Sequence, residues 1–448
     1  MRIGTQKILD RSFTATGIFA IALMTLALVV ILAPMFVRGW GAFWFQGTIE
    51  HRRLLLEKFE RGDRAVIESE IRQFEALRAP IYRPIDQFEE ELARGDSARR
   101  RHYAPALKDL KKSLSVLLGP APNAPRPMLA RDQFGQTRWD RALIKLNGVL
   151  VRESWDYSDP TRSGVRVRVP RAREFEGTPV ADVFPYLEAH VTEILQPRRT
   201  LYWGFLTDES FDSHFFGGIW AELLGTFYLT VGAMLFALPM GIIAAIYLTE
   251  YATDGPLIRL ITTCITTLAG VPSIVFGLFG LAFFINTLHL SSSKSVLAGS
   301  LTLALMILPT VIRSAEEAIR AVPRTYKEAA LSLGAGRWQT VTGVILPAAL
   351  PGILTGAIIS MGRAAGETAP IIFTAVVSVG KPLTLWQTLS QPTPALSWNI
   401  YNLATEHEAM DEIRHVQFGM VLVLVSLVLI LNIVAIVVRA RISKKLKG

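Results

Sequence analysis

Arg363 and Glu367 stand four residues apart inside the apolar stretch 341–378. On a helix that spacing puts both side chains on one face. The helix carrying them is expected to begin near Gly352 and end near Val379, which places both charges well inside it. An ionised side chain at the bilayer centre costs roughly 2.5–3.5 kcal/mol on insertion scales, so such residues face the bundle or a watery path and pair with one another. Arg suits the oxygens of phosphate because its planar fork donates two parallel hydrogen bonds. Glu367 would then hold Arg363 in place and keep an empty path near neutral. The same pair would equally serve as a structural ion pair that locks the bundle, and the residues alone leave both roles open.

A second group of charged residues interrupts the apolar runs at 313–350: Arg313, Glu316, Glu317, Arg320, Arg324, Lys327, Glu328 and Arg337. Within it, Glu328-Ala329-Ala330-Leu331-Ser332-Leu333-Gly334 is followed by Val344-Ile345-Leu346-Pro347. Ala and Leu favour a short helix. Gly334 permits a sharp turn with positive φ. A second short helix is expected to reach Leu346, with Pro347 marking a break before the next membrane helix. Two short helices joined by a Gly turn make a compact knob suited to a groove in a partner.

Both groups must be carried by membrane helices. The mean hydropathy is +0.34, and the apolar residues gather near 18–37, 219–248, 258–287, 296–312, 341–378 and 416–438. A crossing needs about 20 mostly apolar residues, so six transmembrane helices are expected. The stretch Thr16–Val37 follows Arg2, Lys7 and Arg11 and is too long for a signal-peptide core, so it is expected to remain as the first helix. The tail residues Arg439, Arg441, Lys444, Lys445 and Lys447 read as a cytoplasmic flank. Both ends inside agrees with an even number of crossings and leaves 38–217 outside.

The net charge of +9 does not point to nucleic acid. Residues 38–215 hold 29 Lys and Arg against 26 Asp and Glu, and the surplus lies mainly beside the membrane runs. Cys264 is the only cysteine, which excludes an intrachain disulfide. The seven histidines are scattered without metal-ligand spacing, so no metal or cofactor is expected. Gly380-Lys381 is followed by Pro382 and lacks the upstream glycine of a P-loop. The chain is therefore not expected to be an enzyme, and any ATP hydrolysis belongs to another polypeptide.

The insertion at 38–217 is expected to be an α+β domain. Leu56, Phe59, Ile67, Ile71 and Phe74 recur at near-helical spacing, as do Tyr103, Leu107, Leu110, Leu114 and Leu117. Pro80 and Pro84 are expected to separate these two helices. Asn147-Gly148 between apolar residues signals a hairpin. Val165, Val167 and Val169 alternate with Arg166 and Arg168 as in a half-buried strand, and 180–196 returns to helix. Pro239, Gly241, Gly270, Pro272, Gly277 and Pro309 would disturb the membrane helices, by close packing or beside a substrate path.

The 313–350 loop resembles the EAA motif of ATP-binding-cassette importer permeases: Glu-Ala-Ala, three residues, Gly, nine residues, then Ile-x-Leu-Pro. Every spacing is kept, and Val344 replaces the usual Ile. Gly362-Arg363-Ala364-Ala365-Gly366-Glu367-Thr368-Ala369-Pro370 before Phe373-Thr374-Ala375 resembles the signature of PstA-type phosphate permeases. Val271-Pro272-Ser273-Ile274-Val275-Phe276-Gly277 and Leu223-Leu224-Gly225-Thr226-Phe227-Tyr228 look like the same family. The resemblance covers 217–440 and the first helix; the large insertion departs from it. It implies an all-α polytopic fold of the MetI-like type, with the first helix in 1–37, the insertion at 38–217, the permease domain at 218–440 and a basic tail at 441–448. It implies a substrate path with Arg363, Glu367 and Thr368, and ATPase coupling through Glu328, Ala329, Ala330, Gly334, Leu346 and Pro347. The implied partners are a PstC-like second permease, PstB-like ATPase subunits and a periplasmic phosphate-binding protein, in a bacterial inner membrane. A permease for molybdate or sulfate, or a membrane sensor with an external ligand domain, are the alternatives.

Overall fold

The computed structural model describes residues 2–156 and 165–447. Side chains of residues 1–10, 154–167 and 445–448 lie outside the described set. Arg2 and Lys7 of the N-terminal flank, Lys445 and Lys447 of the tail, and the half-burial expected of Val165 and Val167 fall among them. The chain divides into two compact units. One comprises Phe43–Trp203 and His214–Phe216, and the other comprises Met1–Ala42, Gly204–Ser213 and Gly217–Gly448.

The chain opens with helix α1 (Arg2–Trp40), whose span Arg11–Trp40 is long and apolar enough to cross a membrane. Strand β1 (Trp44–Gly47) then leads into α2 (Ile49–Phe59) and α3 (Arg64–Arg94). The expected single helix through Phe59 and Ile67 is thus two. Glu60 (φ 54°) and Gly62 (φ 106°) turn the chain with positive φ, and the Asp63 carboxylate accepts from the Ala65 and Val66 amides to start α3. Pro80 and Pro84 do not separate two helices, as the sequence had suggested, but sit inside α3. Each proline forfeits a backbone hydrogen bond. Burial of Phe74, Ile81, Ile85 and Phe88, all fully inaccessible, offsets that loss. The break comes instead at Gly95-Asp96, where Asp96 caps α4 (Ser97–Leu118).

The hairpin expected at Asn147-Gly148 is absent. Both residues lie in α5 (Trp139–Leu150), which buries Ala142, Leu146 and Val149 on one helical face. The type I′ turn that Asn-Gly favours needs positive φ at both central residues, and neither has it. The strand expected around Val165–Val169 does form: β2 (Val151–Asp156) pairs antiparallel with β3 (Val165–Pro170). Helix α6 (Val183–Leu195) follows, and β4 (Arg198–Leu201) returns to pair antiparallel with β1. Leu107, Leu110, Leu114 and Leu117 of α4, Phe175, and Leu187 and Ile194 of α6 share one core with the α3 aromatics. Among the described residues this unit is α+β, with helices dominant and the two short ribbons β1–β4 and β2–β3.

The other unit continues with α7 (Trp220–Ile246), α8 (Pro256–Leu268) and α9 (Ser273–Gly280). Next come α10 (Val296–Arg320), α11 (Arg324–Ser332), α12 (Leu346–Gly366), α13 (Ala369–Thr374), α14 (Leu396–Thr405) and α15 (Arg414–Lys447). Among the described residues, five helices suit a crossing, and the pair Pro256–Leu268 and Ser273–Thr287 gives a sixth if the two count as one. That pair is bent by 104°. The run 258–287 is thus broken, because Pro272 holds an extended backbone (ψ 137°) where a continuous helix needs αR.

Small residues set the helix spacing in this unit. A Cβ on Gly241 of α7 would come within 2.5 Å of Val311 of α10, and one on Gly299 of α10 within 2.4 Å of Ala375. Such contacts let backbones approach where lipid supplies no hydrophobic drive between helices.

Candidate functional site

The charged loop is rooted in the membrane unit at its foot. Glu316 is buried and receives Arg313 at 2.8 Å and Arg320 at 3.6 Å. Arg313 also donates to the Thr262 carbonyl (3.1 Å) and to the Thr266 hydroxyl of α8. Lys327 of α11 pairs with Glu250, just beyond α7. Ile345 is buried with Val341, Ala349 and Ile353 against Ala315, Ile319 and Ala245, and Leu346 packs on that cluster. The Val344–Pro347 motif therefore seats the loop on the bundle.

The tip is open. After α11 the Gly334 amide donates to Leu331 O and the Ala335 amide to Ala330 O, the pattern of a helix closed by a left-handed residue. Gly334 has φ 83°, as its position in the motif predicts, and a Cβ placed there would meet nothing within 4 Å. Glu328 and Ala329 are exposed, whereas Ala330 is buried. Leu333 is 89% exposed and Trp338 65%, an apolar surface on a short knob. Pro347 does not break the chain. Val341–Ile345 is π-helical and Pro347 falls in the first turn of α12, so the path from Arg337 to Gly366 is one span. The wider turn absorbs the hydrogen bond that Pro347 lacks.

Arg363 and Glu367 are brought together, but not deep inside a helix that runs to Val379. The α-helix stops at Gly366, and Glu367 is extended (φ −78°, ψ 131°). Pro370 lacks the N–H that would have bonded Gly366 O, which fits the stop. Arg363 Nε lies 3.4 Å from Glu367 Oε1, with the arginine side chain 41% exposed and the glutamate 23%. The neighbours Ala364 and Ala365 are buried, so Arg363 projects from the open face of α12.

This break is pinned by residues the sequence did not single out. Ser397 of α14 donates to the Glu367 carbonyl (3.1 Å), and its own carbonyl accepts from the Thr368 hydroxyl (3.3 Å). Helix α14 is fixed in turn on α7: the Leu396 amide donates to the Thr226 hydroxyl at 2.8 Å, and Asn399 donates to Glu222 at 3.1 Å. A Cβ on Gly225 would stand 2.0 Å from the Pro394 carbonyl. The Leu223–Tyr228 segment thus owes its small and hydroxyl residues to the seat of α14. At the far end of α13, Lys294 donates to the Ile372 carbonyl (2.7 Å) and the Val376 carbonyl (3.4 Å). A Cβ on Gly277 would come 3.0 Å from Pro370, so α9 packs directly on α13. A lone Ser or Lys between apolar runs carries no spacing signal that could have revealed these contacts.

No group of three His, Cys, Asp or Glu among the described residues could hold a metal ion. The strongest electrostatic anomalies lie in the insertion unit. Glu50, in the first turn of α2, is fully buried, and burial pushes its carboxyl up to about 7 against the opposing pull of Arg53 and Arg78. Arg53 approaches it at 3.6 Å. His51 is held among Phe45, Tyr202 and Phe216, all edge-on at 5.1–5.5 Å, and burial pushes its imidazole down to about 3, helped by Arg138 and Arg52. These groups stabilise or strain a core and form no catalytic set.

Residues 237–448 match the family described as binding-protein-dependent transport system inner membrane component. The chain is 36% identical over 251 residues to the probable ABC transporter permease protein YqgI of Bacillus subtilis (strain 168), covering 54% of this chain and 84% of that protein. It is 34% identical over 241 residues to the phosphate transport system permease protein PstA 1 of Mycobacterium tuberculosis (strain ATCC 25618 / H37Rv), covering 54% and 76%. Among solved structures, a chain of the MetNI methionine ABC transporter in an inward-facing conformation aligns with a TM-score of 0.38 and 20% identity, covering 50% of this chain and 94% of that one. With the family match over 237–448 and the YqgI and PstA 1 relatives covered over most of their length, the chain belongs to the family of binding-protein-dependent transport inner membrane components, and within it to the PstA-type permeases.

Proposed function

We propose that the chain forms one half of the transmembrane path for inorganic phosphate in an ATP-driven importer of the bacterial inner membrane. The observation that carries this reading is the break at Glu367–Thr368, which leaves the Arg363 guanidinium exposed on α12 beside a carboxylate. A guanidinium in that position offers two parallel donors to a tetrahedral oxyanion. Glu367 balances its charge when the path is empty, and Thr368 adds a hydroxyl whose present acceptor is a backbone carbonyl. The phosphate transport named for the mycobacterial relative supports the choice of anion.

Energy reaches this path through the loop around Glu328, Ala329, Ala330 and Gly334, whose exposed Leu333 and Trp338 suit a groove in a separate ATPase subunit. Leu346 and Pro347 carry a push on the knob into α12, since Arg337–Gly366 is one continuous span that ends at Arg363 and Gly366. A second permease subunit completes the path, and a periplasmic phosphate-binding protein delivers the anion. The 38–217 segment lies on the external side, with both termini in the cytoplasm.

The test is transport by the complex reconstituted in vesicles with its ATPase, second permease and binding protein. ATP-dependent accumulation of labelled phosphate, undiminished by a hundredfold excess of sulfate or molybdate, is expected. Accumulation of sulfate or molybdate in preference to phosphate would overturn the choice of anion.

A further inference from the structure

The ribbon of β1 and β4 is apolar at one end and polar at the other. Its register places Trp44 opposite Leu201, Phe45 opposite Thr200, Gln46 opposite Arg199 and Gly47 opposite Arg198. Opposed residues share a face and faces alternate along a strand. Phe45 and, beyond the strand, Tyr202 turn inward, both edge-on to His51. The other face carries Trp44 and Leu201 at one end and Gln46 and Arg199 at the other. Trp203, two residues past Leu201, is 60% exposed, while Trp44 is 48% and Leu201 43% exposed.

Chain connectivity says where the apolar end must be. The membrane span Arg11–Trp40 stops four residues before Trp44, and four residues reach about 14 Å at full extension. Trp44 is the first residue of β1, so covalent length alone holds it near the end of a membrane helix, and the register brings Leu201 with it. Gln46 and Arg199 are one step further along their face, about 7 Å away. That is close to the depth of the headgroup layer on one side of a bilayer. Tryptophan concentrates at this level, and arginine beyond it meets lipid phosphates.

We propose that the end of this ribbon formed by Trp44, Leu201 and Trp203, with Arg199 above it, is an interfacial anchor that seats in the lipid headgroup layer. The two strands thereby fix the insertion at the bilayer surface at the point where its chain joins the membrane unit. The surface could otherwise suit a partner protein, and the experiment separates the two occupants.

The full chain, with Cys264→Ala removing its single thiol, is labelled with an environment-sensitive fluorophore at Trp203→Cys in nanodiscs of phosphatidylcholine and phosphatidylglycerol. Leu201→Cys serves as a second site, and Met128→Cys, at a residue 98% exposed, as the aqueous control. Headgroup-level spin-labelled lipid is expected to quench the labels at 203 and 201, and aqueous iodide to quench them several-fold less than the label at 128. Adding Arg199→Glu is expected to raise quenching at 203 by the neutral aqueous quencher acrylamide. Iodide quenching at 203 and 201 equal to that at 128 would overturn the anchor. So would protection that appears only when partner subunits or the binding protein are added.

Discussion

At the scale of single residues, Arg363 gives the sharpest test of substrate chemistry. Arg363→Lys keeps the charge and the reach to Glu367 but loses the planar fork, so phosphate uptake should fall at least tenfold while the protein stays in the membrane. Arg363→Ala should do no less harm. Near-normal uptake by the lysine variant would show that the pair acts structurally. Gly334 tests coupling. A Cβ there meets nothing else in the chain, so within the chain the cost is backbone conformation, and φ 83° costs a non-glycine residue about 1–2 kcal/mol. Gly334→Val should abolish ATP-driven uptake, whereas Gly334→Asn, which tolerates this region, should keep most of it; equal activity of the two would sink the assignment. Glu50 tests the insertion's core. Its folded pKa of about 7 lies above its ordinary value of 4.5, so the folded state holds a proton more tightly than the unfolded. Stability from this group is complete below pH 4.5 and is lost as pH rises to about 7, by up to about 3 kcal/mol. His51 has the opposite slope: its pKa of about 3 removes stability as pH falls below 6.5. Hydrogen exchange in α3 and α6 should show Glu50→Gln more stabilised, relative to the parent, at pH 8 than at pH 4. The positive φ of Gly334 was legible because only glycine suits a helix closed in that way. The burial of Glu50 was not, since Ile49-Glu50-His51-Arg52 reads as a solvated helix start until tertiary packing covers it.

At the scale of elements, the apolar runs told where helices lie but not where they stop. The run 341–378 continues through Ile371, Ile372 and Phe373, so hydropathy alone carried the helix past Gly366. Pro370 was the available signal. Pro347 misled in the other direction, because a π-helical turn accommodates it. In the insertion, Pro80, Pro84 and Asn147-Gly148 were read by local propensity, and burial of Phe74, Ile81, Ile85, Leu146 and Val149 overrode it. What propensity could not reveal at all is the seat of the break on α14. Ser397→Ala removes one hydrogen bond to Glu367 O, worth roughly 1 kcal/mol, from the support of the Glu367–Thr368 turn. Its uptake should show a raised apparent KM for phosphate delivered by the binding protein, with unchanged membrane abundance, and Ser397→Thr should restore it. An unchanged KM in the alanine variant would mean that the Glu367–Thr368 turn holds its shape without α14.

At the scale of the whole molecule, an ABC importer permease with a bundle of apolar helices carries a second, smaller compact unit. Family membership accounts for the bundle, whose residues 237–448 match the family, and leaves the insertion to be explained by its own residues. Its size, and its proposed place on the face a binding protein approaches, suggest that it docks or regulates that protein. The ribbon gives a clean way to remove it. Gly47 lies opposite Arg198, so an Asn-Gly turn joining these two residues would turn β1 and β4 into a hairpin and delete 48–197. The membrane unit keeps its own cores, around Leu303, Ile307 and Ala375 and around Ile319 and Ile345, and should still insert and assemble with its ATPase. Basal ATP hydrolysis in vesicles should survive, while stimulation by loaded binding protein should fall at least tenfold and the binding protein should dissociate faster from the complex. Those two readouts separate a docking unit from a passive one. If the hairpin variant assembles and both stimulation and binding-protein affinity match the parent, the insertion takes no part in delivery.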